Sequence, residues 1–169
     1  YLQGMAATVR IAKNLDLTAF FSYRTIDATL RDGQIQTIVT TGLHRTEKEM
    51  SKKNVASEMV AGGHVAYRLK GFHLGATGYY ETLSRVLAPN RNLLYKRYAP
   101  GGDSFWNASI DYAYVSHRLV IQGETATGDC GAVATINTAS YQIDGKWAVM
   151  ALQRFYPYRY YSLHANAFG

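Results

Sequence analysis

Five histidines and one cysteine are the side chains of this chain best suited to acid–base or metal chemistry. They do not follow the spacing of a known catalytic site such as the HExxH pattern of zinc enzymes. The histidines are His44, His64, His73, His117 and His164. His64 and His73 flank a predicted tight turn at Lys70 and Gly71, so we expect their rings to approach each other across a hairpin. Two imidazoles without a third ligand make a weak metal site, so a polar cross-strand pair is favoured and no metal or other cofactor is predicted.

Cys130 lies in a predicted loop between Asp129 and Gly131. No basic residue adjoins it in the sequence to favour a reactive thiolate. A single cysteine also excludes an internal disulfide and a cysteine-based metal cluster. Because no nucleophile stands beside a base, the sequence does not predict an enzyme.

Charged side chains recur on one face of the predicted strands and form the main set of candidate functional residues. Mid-strand charges of this kind are natural where the interior of a barrel holds water or a network of ion pairs. The open alternative is that this face is the solvent side of a soluble sheet. Together with the two histidines, the predicted interior-facing set is Arg10, Arg24, His64, Arg68, His73, Glu81, Asp111, Glu124 and Arg154.

The opposite face of the same segments is apolar, with aromatic residues near the segment ends. We expect this face to contact lipid, because a charge there costs about 2–4 kcal/mol near the bilayer midplane. The predicted lipid-facing positions include Val9, Phe21, Leu74, Ile110 and Val149.

The elements that carry these faces are predicted to be about eight antiparallel strands, each about 9 to 12 residues long, as a tilted strand needs to cross the hydrocarbon layer. Tight turns alternate with long polar loops at residues 31–55 and 84–104, which we expect on the cell exterior. A shorter loop is predicted at residues 129–131. Thr46 and Glu49 have capping-box spacing and predict one helical turn in the first long loop. The predicted turns are Asn14-Leu15-Asp16, Lys70-Gly71, His117-Arg118 and Asp144-Gly145.

Composition limits the class of protein. The 169 residues are 47% hydrophobic with a mean hydropathy of -0.19 and contain no apolar run of about 18 residues, which excludes a helical membrane protein. Alternating strands of a barrel wall are compatible with this hydropathy. The net charge of +6 permits attraction to phosphate groups of lipopolysaccharide or nucleic acid, without choosing between them.

The stretch at residues 154–161 combines arginines with tyrosines and a phenylalanine. Such a stretch can stack on bases or sugars. It is also typical of a strand end at the membrane interface, and its position favours that interpretation.

Four phrases of the sequence resemble the barrel region of large outer-membrane proteins of Bacteroidota that carry a helix-hairpin-helix domain. They are NLDLTAFFSYR at residues 14–24, GLHRTE at 42–47, FWNASIDY at 105–112 and MALQRFY at 150–156. The resemblance implies a β-barrel in the outer membrane of a Gram-negative bacterium. Its partners would be the lipid bilayer, lipopolysaccharide and other envelope proteins. The helix-hairpin-helix portion has no counterpart in these residues, so nucleic acid is not predicted as a partner.

The predicted fold is therefore all-β: an antiparallel up-and-down transmembrane β-barrel. Residues 1–169 are interpreted as one segment of a larger barrel, because the interior carries many charges and both ends of the sequence suggest a strand continuing into a turn or a further strand. The predicted function is that of a channel wall or a scaffold of an envelope complex. The alternative is a soluble β-barrel or sandwich that binds a ligand or polyanion through basic loops.

Overall fold

Alternating residues and tight turns produce a protein that consists almost entirely of strands. The computed structural model describes residues 3–164, which form nine strands in one sheet and two single helical turns. The strands are β1 Gly4–Ala12, β2 Leu15–Arg31, β3 Gln34–Val39, β4 Ala56–Leu69, β5 Phe72–Leu87, β6 Gly102–Val115, β7 Leu119–Gly128, β8 Val133–Gln142 and β9 Ala148–Phe155. Among these residues, no helix is long and apolar enough to cross a membrane.

Four antiparallel hairpins lie at the predicted tight turns, the first of them shifted to Lys13 and Asn14 because β2 already begins at Leu15. They join β1 to β2, β4 to β5, β6 to β7 and β8 to β9. At the second of these turns, Gly71 has a φ of 74°, a backbone conformation that glycine adopts without steric cost. The long antiparallel pairs also include β2 with β4, β5 with β6 and β7 with β8.

Strand β3 is the main departure from the prediction. Residues 31–55 were expected to be a loop, but Asp32 and Gly33 form a tight turn with φ values of 53° and 78° and pair β3 with the end of β2. An Asp-Gly pair is a strong hairpin signal that lay unrecognised inside the polar stretch. β3 also makes one parallel contact, Ile35 with Leu87 of β5, so the expectation of a purely antiparallel sheet is wrong.

The pairings of β3 create a closed β-barrel core. β3 pairs with β2 and with β5, and both of these strands also pair with β4. The four strands therefore form a ring, at the end of the sheet opposite the four predicted tight turns. Ile35 is completely buried there. The core residues are Ile26, Ala28, Ile35, Ala56, Leu83, Leu87 and Phe105. β2, β4, β5 and β6 run for 14 to 17 residues, longer than predicted, because they continue into or beside this core.

The two connecting loops hold the helical turns. The helix α1 (Glu47–Met50) has the predicted capping box, in which the Thr46 hydroxyl accepts from Glu49 N and the Glu49 carboxylate accepts from Thr46 N. The second loop contains a 3₁₀ turn at Leu94–Lys96.

Outside the four-strand ring, the sheet ends at two edge strands, β1 and β9. Within residues 3–164, these two strands do not pair with each other. β9 is exposed on both faces. Residues 165–169, where a loop or further strand was predicted, lie outside the described residues, as do Tyr1 and Leu2.

Candidate functional site

The pairing register places all nine predicted interior residues on one face of the sheet. Cross-strand partners share a face, and successive residues alternate. Asp111, for example, pairs with Gly75 on one side and with Glu124 on the other, and Glu124 continues the row through Ile136 to Arg154. We call this surface the charged face, and the opposite surface the apolar face.

Near the tight turns, the charged face carries an exposed ion-pair network. Asp16 accepts hydrogen bonds from Arg10 Nε at 3.1 Å and from Arg68 Nη1 at 2.5 Å. Asp16 was assigned to a turn from the sequence, although it is the second residue of β2 and joins two of the predicted arginines. Both arginine side chains are more than half exposed, so this network contributes little to folding stability.

Farther along the charged face, His64, His73 and Asp111 come together from three neighbouring strands. His73 Nε2 lies 2.6 Å from Asp111 Oδ2, and the two imidazole rings stack with centroids 6.5 Å apart, which confirms their predicted approach. His64 Nδ1 lies 2.9 Å from the hydroxyl of Thr77. His73 and Asp111 border a cavity of about 370 Å³ that also touches Glu124.

Next to the barrel core, the charged face contains a buried ion pair. Arg24 donates from Nε and Nη2 to the two oxygens of Glu58, and the second of these bonds measures 3.0 Å. The Glu58 side chain is only 2% exposed. Burial of a carboxylate is costly unless it is paired, and this two-pronged geometry provides the pairing.

Glu81 lies beside this pair and is fully buried. Among the described residues, neither of its carboxylate oxygens has a hydrogen-bond partner of good geometry. His164 Nε2 approaches one of them at 3.4 Å, an ion-pair distance, and lies 3.9 Å from Glu58. The interaction with Glu81 raises the pKa of His164 above its ordinary 6.5 against the opposing effect of burial, which favours the protonated imidazole beside this carboxylate.

His164 reaches Glu81 because the chain after β9 folds back over the charged face. Ser162 Oγ lies 2.7 Å from the hydroxyl of Tyr79, and Tyr161 packs edge-on against Phe105 of the core. We call residues 156–164 the inward segment. The interpretation of residues 154–161 as a membrane-interface strand end is therefore wrong for Tyr161, which turns inward.

Glu124 and Arg154 are the two remaining predicted residues. Glu124 is exposed and borders the 370 Å³ cavity. Arg154, on the edge strand β9, places its guanidinium 4.9 Å from the ring centre of Tyr156.

Three participants were missed from the sequence: Asp16, Glu58 and His164. Glu58 shares the alternation of His64, but nothing near it in the sequence indicates its partner Arg24, which is 34 residues away. His164 has no sequence signal for this role, because only the return of the inward segment brings it to Glu81.

The apolar face carries large exposed hydrophobic side chains. Tyr80 pairs with Trp106 near the core, and Phe72 pairs with Tyr114 near the tight turns. All four side chains are exposed, as is Ile110 between the two rows at 58%. Between these rows, the described strands place no charged side chain on this face.

A hydrogen-bonded polar cluster interrupts the apolar face close to the β9 edge. Asn137 accepts from the Tyr112 hydroxyl at 2.9 Å and donates to Gln153 at 2.6 Å and to Thr135 at 2.9 Å. Because these polar groups form hydrogen bonds with one another, exposing them to an apolar environment costs less free energy than exposing isolated polar groups.

No family model, curated protein or solved structure matches this chain.

Proposed function

We propose that this chain forms part of the wall of an outer-membrane β-barrel, with its apolar face against lipid and its charged face towards a water-containing interior. The observation that carries the proposal is the separation of the two faces. Exposed Leu74, Ile110 and Val149 share one face, while Arg10, Arg68 and Glu124 share the other. A soluble sheet of this kind would expose its apolar face to water at a large free-energy cost.

The dimensions of the apolar face support a membrane location. Tyr80 and Phe72 lie eight residues apart on β5. That separation is about 27 Å along a strand and about 20 Å in height at a tilt of about 40°. The apolar band of a transmembrane barrel is about 25 Å tall and is bordered by aromatic side chains on both sides.

The two sheet edges support the proposal that further strands complete the barrel. In a bilayer, unpaired backbone groups at a sheet edge are costly, so β1 and β9 both need partners. The polar cluster around Asn137 lies beside the β9 edge, where contact with further protein strands or an envelope partner suits it better than contact with lipid.

The loop end offers groups for the phosphates of lipopolysaccharide. Arg91, Arg97 and Arg159 surround one surface pocket together with Tyr98. Arginine and aromatic side chains are suited to phosphate and sugar contacts. In the proposed orientation, the loop end would lie at the cell exterior, where the long loops of a barrel are expected. The resemblance to Bacteroidota barrels stays a prediction.

Single-cysteine labelling of neighbouring residues tests the proposal. In a Cys130→Ala background, Ile110→Cys and Ser109→Cys place a spin label on the apolar and charged faces of the same strand. We expect oxygen to relax the label at position 110 in liposomes and a water-soluble nickel reagent to relax the label at position 109. The reversed pattern would mean that the faces are assigned wrongly.

The soluble alternative predicts a different outcome for the same variants. Both labels would be accessible to the aqueous reagent, and the protein would remain in solution after a carbonate wash of membranes. Conductance in a planar bilayer separates a channel wall from a scaffold, since only the channel passes current.

A further inference from the structure

We propose that His64, His73 and Asp111 bind a divalent transition-metal ion, best fitted by Zn²⁺, on the charged face. One ligand atom from each residue lies within 4.8 Å of the other two. Two imidazoles and one carboxylate form a ligand set that zinc commonly uses, and three protein ligands leave a fourth position open. The sequence predicted all three residues on one face but not their convergence, and the register of β6 brings Asp111 to the two histidines.

Gly75 provides the space in which the three groups converge. It is the cross-strand partner of Asp111, and a Cβ at this position would come within 2.6 Å of Asp111 Oδ2. On the other side, Gly75 pairs with Ala66, another small residue. The absence of a side chain at position 75 therefore lets the carboxylate lie down against the sheet towards the imidazoles.

The surroundings of the three ligands also suit a metal. The Thr77 hydroxyl contacts one nitrogen of His64 and orients this ring, as outer partners of zinc-bound histidines do. All three ligand residues are partly buried on strands. The fourth position would face the 370 Å³ cavity, where water or a small anion completes the coordination.

The second cluster of possible ligands, Glu58, Glu81 and His164, is less suited to a metal. Arg24 already donates to both oxygens of Glu58, so a cation there would have to displace a buried ion pair. Among the described residues, the ion-pair partner of Asp111 is His73, and neither an arginine nor a lysine pairs with this carboxylate.

Zinc titration of untagged protein in detergent micelles, followed by calorimetry, tests the site. We expect one Zn²⁺ per chain with micromolar or tighter affinity, and a raised unfolding temperature that EDTA reverses. His73→Gln and Asp111→Asn should weaken binding about 100-fold, and Thr77→Val about tenfold. The control His117→Gln, which changes an exposed turn histidine, should bind as the unchanged protein does.

A pair of glycine variants on β5 separates loss of the site from loss of the fold. Gly75→Ala should abolish binding, because its methyl group displaces the Asp111 carboxylate. Gly78→Ala should leave binding unchanged, since a Cβ there meets nothing within 4 Å. Co²⁺ substituted for zinc should give the intense visible absorption of a four-coordinate site in Gly78→Ala but not in Gly75→Ala.

Two outcomes would overturn the proposal. One is a folded, unchanged protein that binds no Zn²⁺ at micromolar concentration. The other is equal affinity in the unchanged protein, His73→Gln and Gly75→Ala. Neither outcome would bear on the membrane location, which the labelling experiment tests separately.

Discussion

At the scale of single residues, the buried carboxylates next to the barrel core depend on two positive partners. Glu58 and Glu81 lie close together with almost no solvent access. Arg24 compensates the first and His164 the second. Removal of either cation would leave a buried negative charge, which is one of the few single changes with a large effect on stability.

Two of the arginines on the charged face, Arg24 and Arg10, provide a direct comparison. Arg24→Gln should lower the free energy of unfolding by about 3 kcal/mol, because it leaves Glu58 buried and unpaired. Arg10→Gln should lower it by less than about 1 kcal/mol, since the Arg10 side chain is 73% exposed. Urea unfolding of both variants in lipid vesicles measures the difference, and equal losses would contradict the assignment of a buried pair.

His164 makes the attachment of the inward segment depend on pH. Its folded pKa is raised, so its stabilising contribution is complete below about pH 6.5 and is lost as the pH rises through the folded value. The charged groups that face it are Glu81, Glu58 and Arg24. Amide hydrogen exchange in residues 156–164, corrected for intrinsic rates, should therefore become less protected between pH 6 and pH 9.

The His164→Gln variant is the control for this pH dependence. It should show weak protection of the inward segment at every pH in the range. A steep pH dependence that survives in the variant would assign the effect to another group.

At the scale of elements, β3 decides whether the sheet has a closed core. Its hairpin with β2 depends on a turn in which both central residues have positive φ. Aspartate tolerates this conformation moderately and glycine tolerates it freely, whereas a β-branched residue does not.

Substitutions at the two turn residues should differ in the size of their effect on stability. Gly33→Val should destabilise the β2–β3 hairpin by about 1–2 kcal/mol through backbone strain, because a side chain at position 33 meets no neighbour within 4 Å. Asp32→Gly should change its stability by less than about 1 kcal/mol. Hydrogen exchange at Ala88, whose amide donates to Ile35 O across the β3–β5 contact, reports on the hairpin. Equal protection at Ala88 in both variants would show that the turn does not control β3.

The elements differ in how far the sequence predicts them. Two-residue alternation identifies the long hairpins, because a half-buried strand repeats every second residue. It fails for β3, a short strand set in a polar stretch. It also gives no signal for the role of Glu58 near the start of β4, because the partner of this carboxylate, Arg24, is 34 residues away.

At the scale of the whole molecule, the two edges of the sheet determine what else the barrel requires. With Cys130 replaced by Ala, cysteines at Ala139 and Ala151 should form a disulfide, since these positions are partners across β8 and β9. Cysteines at Ala7 of β1 and at position 149, 151 or 153 of β9 should not link within one chain, because the structure does not pair these strands.

Gel electrophoresis of the oxidised variants in liposomes distinguishes the arrangements. An efficient link between β1 and β9 within one chain would mean that the barrel closes on itself, against the proposal that further strands complete it. Links between chains would identify a second copy as the partner of the edges.

The sequence by itself determined the features that repeat locally: the all-β class, the tight turns, the capped helical turn and the sorting of side chains between two faces. These follow from backbone geometry and from neighbours a few residues apart. Only the tertiary structure decided which charges meet, that β3 closes a core, that the inward segment returns to Glu81, and that Asp111 joins His64 and His73. Each of these depends on residues far apart in the chain, and their contact is set by the register and curvature of the whole sheet, which short-range patterns do not encode.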